Sequence, residues 1–345
     1  MKNSTIGLDI AKNVFQAHAV DRNGRIVAQK RLRRSEVLQW FGEQGASLVG
    51  IESCATSAYW AREIEKQGHE VKLMPPAYVK AYVRRQKNDR TDAAAICEAV
   101  GRPAMRFVAV KTVEQQAMQV LHRTRELLIG QRTQAINALR AHMAEFGVIF
   151  PPGNAGVAQA MRTLREGKET GIPAFAVRVL QSLADQIDAV RQEIAKLDKQ
   201  MIEGHRANEA SQRLATIPGI GVVTATALVS AIGDGKQFQS SREFAAWLGI
   251  VPRQNSSGGK DRLGAISKKG NIYLRSLLVV GATAMLRGKN REKAVGGGWF
   301  AELLRRKAAR VASVALANKM ARVAWAVLVK GGVYRIQSVP TGVVA

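Results

Sequence analysis

The chain has 345 residues, 46% of them apolar, which is enough for two or three domains with real cores. Lys and Arg number 52 against 27 acidic residues; the resulting formal charge of +25 far exceeds what solubility requires and points to a polyanionic partner. Cys54 and Cys97 form no CxxC, which excludes a disulfide scaffold and a structural zinc site.

The first hundred residues alternate short strands with helices. Thr5–Ile10 and Val14–Val20 are apolar strand-like runs, Asp21-Arg22-Asn23-Gly24 is a turn, and Ile26–Leu32 returns as a third strand. A helix is expected from Ser35 to about Gln44, a fourth strand over Leu48–Glu52 and a helix over Tyr59–Gln67. Val71–Met74 is a fifth strand, ended by Pro75-Pro76, and a basic helical stretch, Tyr78–Gln86, precedes a helix starting near Asp89. Three antiparallel strands followed by alternating helices and strands is the element order of an RNase H-like α/β domain.

Val113 to Phe146 reads as one long helix, and Gly147 to Pro173, with Pro151-Pro152-Gly153, as a break. Leu180, Leu183, Ile187, Val190, Ile194, Leu197 and Met201 then form a heptad seam, which serves either a coiled-coil dimer or an intrachain helical hairpin. The remainder, from about Arg213 to Gly331, reads as helical and basic. Its longest apolar stretch, Val311 to Val329, is interrupted by Lys319 and Arg322, and Met1–Ser4 leads straight into a strand. No membrane span and no signal peptide are therefore expected, and the expected location is cytoplasmic.

Four carboxylates stand out. Asp9 and Glu52 each follow an apolar run, so each emerges at the edge of a buried sheet, while Asp89 and Asp92, spaced i, i+3, share one face at a helix start. A lone strand-end acid can simply open a turn, and one helix-start Asp can simply cap. With Arg84, Arg85, Lys87 and Arg90 around them, the four together suit a divalent ion held between carboxylates and phosphate. Further on, Ile217-Pro218-Gly219-Ile220-Gly221-Val222 resembles a helix-hairpin-helix turn, in which Gly219 and Gly221 allow close backbone approach to a phosphate; a plain interhelical turn is the alternative. Six basic residues, Arg253, Lys260, Arg262, Lys268, Lys269 and Arg275, then surround a Ser256-Ser257-Gly258-Gly259 loop, against one acid, Asp261. Phosphate contact is the natural role of such a stretch.

In order and spacing, these motifs resemble the IS110 family of insertion-sequence transposases, and within it the IS1111-like group. The similarity spans nearly the whole chain. It is carried by Gly7-Leu8-Asp9-Ile10-Ala11-Lys12, by Ile51-Glu52 followed by Ser53–Tyr59, and by Asn88-Asp89-Arg90-Thr91-Asp92-Ala93. In the second half it rests on Ile217–Gly221, Phe244-Ala245-Ala246-Trp247-Leu248-Gly249, Ser257-Gly258-Gly259-Lys260 and Ile266-Ser267-Lys268-Lys269-Gly270-Asn271. The resemblance implies a RuvC-like domain whose four acids, Asp9, Glu52, Asp89 and Asp92, bind Mg²⁺ or Mn²⁺. It also implies a C-terminal serine followed by glycine, here Ser257, that attacks the DNA backbone and holds it as a phosphoserine. Ser256 stands directly before it; the glycine that follows selects Ser257. A structured, bridge-type guide RNA pairing with donor and target DNA, and dimers that join into tetramers, are implied as well.

The expected organisation is a catalytic domain over 1–110, a helical coiled-coil oligomerisation region over 111–205, and a C-terminal helical domain over 206–345 with the hairpin motif and the serine. Three other readings compete: an actin-like ATPase, a Holliday junction resolvase using water as nucleophile, and a non-catalytic nucleic-acid-binding protein. The first lacks the later glycine-rich phosphate loops, and the last leaves the acids unexplained, since carboxylates repel a phosphate backbone unless a metal intervenes.

Overall fold

The computed structural model describes residues 4–82, 89–166, 171–256, 259–260, 262–286 and 298–335. It divides into two compact units, Met1–Val113 with Gly235–Gln239, and Glu114–Asp234 with Ser240–Ala345.

Unit 1 is built on a mixed sheet of five strands, β1 (Thr5–Asp9), β2 (Val14–Val20), β3 (Ile26–Arg33), β4 (Leu48–Glu52) and β5 (Glu70–Met74), in the order β3-β2-β1-β4-β5. The β1–β2 and β2–β3 pairs are antiparallel, and β1–β4 and β4–β5 are parallel. This arrangement is compatible with the RNase H-like reading. The β2–β3 connection is closed by Asp21, whose Oδ1 accepts from the amides of Asn23 and Arg25 at 2.9 Å, while Gly24 takes a positive φ of 77°. Strand alternation divides the side chains. Ile6, Leu8, Phe15, Leu32, Val49, Ile51, Val71 and Leu73 bury one face of the sheet with Val37 and Phe41 of α1 (Val37–Gly42) and Trp60, Ala61 and Ile64 of α2 (Ser57–Glu65). Each such side chain contributes about 1.5–3 kcal/mol of burial.

Past β5 comes a short helix, α3 (Pro76–Val79), and a single 3₁₀ turn; residues 83–88 lie outside the description. The sheet's other face carries α4 (Asp89–Val100), and two glycines make that contact possible. A Cβ on Gly7 would lie 2.1 Å from the Ala93 carbonyl oxygen and 2.4 Å from the Cys97 amide, and one on Gly50 would lie 2.8 Å from Val100 Cβ. Ile96, Ala99 and Val100 complete a second core with Met74 and Val79.

Unit 2 is mainly helical. The long helix α5 (Val113–Ala144) agrees with the sequence reading, but the expected Gly/Pro break contains a helix, α6 (Asn154–Glu166). Its Val157, Ala160, Met161 and Leu164 recur at helical spacing and are buried, a short signal hidden between Gly153 and the residues that follow it. These side chains pack with Ala135, Leu139 and Met143 of α5 and with Leu180, Ala184 and Ile187 of α7 (Ala174–Arg206). Four positions of the heptad seam, Leu180, Ile187, Ile194 and Met201, are buried within their own chain, the first two in this cluster, and Arg125 Nε of α5 bonds Asp198 Oδ1 of α7 at 2.5 Å.

The C-terminal region follows as α8 (Glu209–Ala215), α9 (Val222–Ile232), α10 (Ser241–Trp247), α11 (Ile272–Ala284), α12 (Gly298–Arg306) and α13 (Ala309–Lys330). Between α10 and α11 the expected all-helical run is interrupted by an antiparallel hairpin, β6 (Pro252–Gln254) and β7 (Leu263–Ile266). Among the described residues α13 is the one helix long and apolar enough to cross a membrane, and half of its apolar window is buried. That buried side, including Leu316, Ala317, Met320 and Ala324, packs among the other helices, where α13 contacts α10 and α11.

Candidate active site

The four acids belong to unit 1. Asp9 is the last residue of β1 and Glu52 the last of the neighbouring parallel strand β4; they follow directly on the paired residues Leu8 and Ile51. Adjacent strands lie about 4.8 Å apart, so the two carboxylates leave the same sheet edge on the same face. Both make contacts of their own in the fold. That face is the one α4 covers. Ala93 and Cys97 lie over Gly7, and Cys97 Sγ donates to the Thr5 carbonyl at 3.3 Å, so α4 runs back along β1 from its C-terminal towards its N-terminal end. The first turn of α4, with Asp89 and Asp92, is thereby directed to the sheet end that carries Asp9 and Glu52. Burial pushes the Cys97 thiol up to about 11, which keeps it a neutral packing group.

Asp92 Oδ1 is buried and, among the described residues, has no hydrogen-bond partner. A buried carboxylate oxygen without a donor is costly unless a proton or cation meets it. Hard oxygen donors at a sheet end are a donor set that suits Mg²⁺ or Mn²⁺. Among the described residues no three His, Cys, Asp or Glu side chains stand close enough together to enclose an ion, and the side chain of Asp89 lies outside the description.

Sequence reasoning missed the neighbours of Asp9. Asp9 pairs with Gln16 across β1–β2, and Gln16 pairs with Arg31 across β2–β3, so Glu52, Asp9, Gln16 and Arg31 form one transverse row. The signal that could have found them is the Asp21–Gly24 turn, which sets the register of β2 on β3.

The second set of candidates lies in unit 2. Ser256 and Lys260 are exposed in the β6–β7 connection, and the Ser256 hydroxyl accepts from the Arg262 amide at 3.3 Å. Ser257, Gly258 and Asp261 lie outside the described residues. Arg253 and Arg262 are exposed on the hairpin. Gly249 and Gly270 bring two turns into backbone contact: a Cβ on Gly249 would lie 2.0 Å from the Lys269 oxygen, and one on Gly270 1.8 Å from the Trp247 oxygen. Lys268 holds a positive φ of 55° there, and Arg275 Nη1 donates to the carbonyls of Leu248 at 2.9 Å and Lys269 at 3.0 Å. The guanidinium of Arg275 thus braces the two turns, whatever else its remaining nitrogens reach.

The α8–α9 turn contains Gly219 at φ 84°, packed so that a Cβ would meet Met320 Cε at 2.8 Å and Met285 Sδ at 2.9 Å. Its glycine requirement is met by internal packing. Gly221, at the start of α9, faces open space, with no heavy atom within 4 Å of a built Cβ.

Comparison with known proteins decides what this architecture belongs to. A profile described as transposase of the DEDD, IS110 type matches residues 6–148, and one described as transposase of the IS116/IS110/IS902 family matches residues 211–295. A probable family 20 transposase of Pseudomonas aeruginosa is 43% identical over 97% of this chain and 99% of its own length. The chain belongs to the IS110 family of transposases. The transposase of insertion sequence element IS1328 of Yersinia enterocolitica is 40% identical over 97% of this chain and 99% of its own length. That of IS1111A from Coxiella burnetii is 37% identical over 96% and 91%. The protein is accordingly a transposase, an enzyme acting on DNA, and the two profiles cover the acids of unit 1 and the turn, hairpin and basic residues of unit 2.

Proposed function

We propose that this transposase cuts and exchanges the strands of donor and target DNA in an RNA-guided, metal-dependent recombination, with Ser257 as nucleophile and Asp9, Glu52, Asp89 and Asp92 as the metal-holding acids. The observation that carries the reading is the common sheet end of Asp9, Glu52 and the partnerless Asp92 Oδ1. Mg²⁺ or Mn²⁺, when bound there, would stabilise charge developing on the phosphoryl oxygens.

Each residue then has a stated task. Ser257 Oγ loses its proton and bonds to phosphorus while the bond from phosphorus to one sugar oxygen breaks; that oxygen departs and takes up a proton. Resealing reverses the exchange with a sugar hydroxyl of the partner strand, so the number of phosphodiester bonds is kept and no ATP is consumed. Arg253, Lys260, Arg262, Lys268 and Lys269 neutralise neighbouring phosphates, and Gly221 with the first amides of α9 offers a further backbone grip. The charge of +25 suits a partner as large as DNA together with a folded RNA. The organisation proposed is catalytic 1–110, helical 111–205 and C-terminal 206–345. Since Leu180 and Ile187 are covered within the chain, a helical dimer seam would draw on Val120 and Leu127 of α5, one heptad apart and 62% and 61% exposed.

The test is an excision assay with trapping of covalent protein–DNA adducts. Ser257→Ala should bind nucleic acid but form no adduct and no excised circle, Ser256→Ala should retain both, and Asp9→Asn should lose strand breakage by about a thousandfold or more, the scale of losing one preorganised charge-stabilising group. Full excision by Ser257→Ala would remove the phosphoserine and leave a water-using resolvase chemistry. Metal-independent breakage would remove the acidic site.

A further inference from the structure

Beside the acids, β2, β3 and the first turn of α4 enclose a pocket of about 190 Å³, lined by Gln16, His18, Gln29, Arg31 and Arg90 among others. By liquid volume this is room for roughly six waters, or for one small anion with part of its shell. Its place follows from the register: Gln16 is directly across from Asp9, and Arg31 directly across from Gln16. Arg31 is therefore about two strand spacings, roughly 10 Å, from Asp9 on the same face of the sheet. Arg90 comes from above, two residues before Asp92 on α4. Buried His18 forms part of the wall and is fixed by Gln29, whose Nε2 lies 3.2 Å from His18 Nδ1.

Arg213 and Arg306 each meet a glutamate four residues earlier on their own helix, and Arg102, just past the end of α4, meets Glu98. Among the described residues neither the Arg31 nor the Arg90 side chain forms an ion pair or a hydrogen bond, although both line a concave surface. Two unpaired cations and a side-chain amide converging on a small cavity favour an anion with several oxygens. The same row changes sign along its length, from carboxylates at Glu52 and Asp9 to amide and guanidinium at Gln16 and Arg31. A bare phosphate would be repelled by the acid end and drawn to the basic end.

We propose that this pocket is a phosphate subsite that grips a backbone phosphate of the DNA strand beside the one cut at the acids. The inference rests on the acidic-site reading above and adds the residues that position the strand: Arg31 and Arg90 as charge partners, Gln16 as amide donor. None of them takes part in bond breaking. They fix the strand's course along the row, so that the next phosphate falls at Asp9 and Glu52 and not on the basic end.

Salt-dependent binding tests the subsite separately from catalysis. The full-length protein is titrated with a mixed-sequence DNA duplex and with an RNA of equal length across a salt series. Asp9→Asn serves as the parent, so that no cutting intrudes. Adding Arg31→Gln and Arg90→Gln together should lower DNA affinity about tenfold and make the slope of log K against log salt shallower by about 1, the signature of one lost phosphate contact. The Lys replacements at both positions should restore the slope. Arg25→Gln, which removes a cation at the far end of β3, should leave the slope within error. An unchanged slope and affinity in the double Gln variant, with its melting temperature also unchanged, would overturn the subsite while leaving the acidic-site reading intact. A slope that falls for RNA and not for DNA would overturn the assignment to the cut strand. Loss of the acidic-site reading itself would appear elsewhere, as metal-independent breakage or as full activity of Asp9→Asn.

Discussion

The two profile-matched regions are built from opposite materials. Asp9 and Glu52 of unit 1 stand at the ends of strands whose preceding residues, Leu8 and Ile51, are fully buried, under a helix seated on Gly7. Arg253, Ser256, Lys260 and Arg262 of unit 2 stand on an exposed two-stranded ribbon whose strands are only three and four residues long. The ion proposed for these carboxylates would need fixed spacing, and a buried parallel strand pair supplies it through backbone register. The phosphate contacts proposed for the second set would need reach and charge more than fixed spacing, and a ribbon braced at its base by Arg275 meets that need. Substitutions should therefore cost stability in the first region and binding in the second.

The largest effect should follow Gly7→Ala. The added methyl would press on the backbone of α4, where neither the Ala93 oxygen nor the Cys97 amide can yield without moving the helix. About 3 kcal/mol and on the order of 10 °C in Tm should be lost; a drop of under two degrees by calorimetry would mean α4 is not seated as described. A similar loss in unit 2 would mark the two regions as equally rigid.

An effect of intermediate size should come from acid. His122 is buried between Tyr273 Oη at 3.0 Å and Thr226 Oγ1 at 3.1 Å, and burial, with Arg125 adding to it, lowers its pKa to about 4. With a folded value below the unfolded 6.5, the unfolded chain binds the extra proton between those limits. The stability from the neutral ring is thus complete above pH 6.5 and lost as pH falls towards 4, on the order of 2–3 kcal/mol. Urea melts of wild type and His122→Gln at pH 7 and 4.5 check this. The substitution should flatten the pH dependence, and equal slopes would remove His122 from the account.

Smaller still is Arg275→Ala. Removing the brace leaves the Leu248 and Lys269 carbonyls one donor short, for about 1–2 kcal/mol. If the residue is a brace, the melting temperature falls while the salt slope of DNA binding stays; a fall in slope alone would return Arg275 to phosphate contact. The smallest stability effect belongs to Gly221→Ala. It faces open space with an ordinary extended backbone, so thermal melts should change by under about 0.5 kcal/mol. A weaker grip on DNA at unchanged stability would sharpen the contrast with Gly7.

Much of this was written in local residue patterns. The five strands of unit 1 were legible because apolar runs of strand length end in turn residues, and Asp9 and Glu52 were legible because each closes such a run. The long helices α5 and α7 followed from their periodicity. Two elements were not legible. The helix α6 hid beside Pro151, Pro152 and Gly153, whose turn chemistry dominates a short window. The β6–β7 hairpin hid because Arg253 and Gln254 are exposed on both faces and carry no alternation.

What the sequence alone determined was the set of parts: which residues are acids at strand ends, where the turn residues fall, and how much positive charge the chain carries. Tertiary structure decided which of them meet. Strand register put Gln16 and Arg31 in line with Asp9, and the direction of α4 carried Asp92 and Arg90 to the same sheet end. The heptad of α7 was likewise assigned by what lay against it, its own chain at Leu180 and Ile187. The physical reason is common to all three. Periodicity states that a face will be buried or a side chain aligned, but the identity of its neighbour is a contact between residues far apart in the chain, fixed only when the backbones pair and pack.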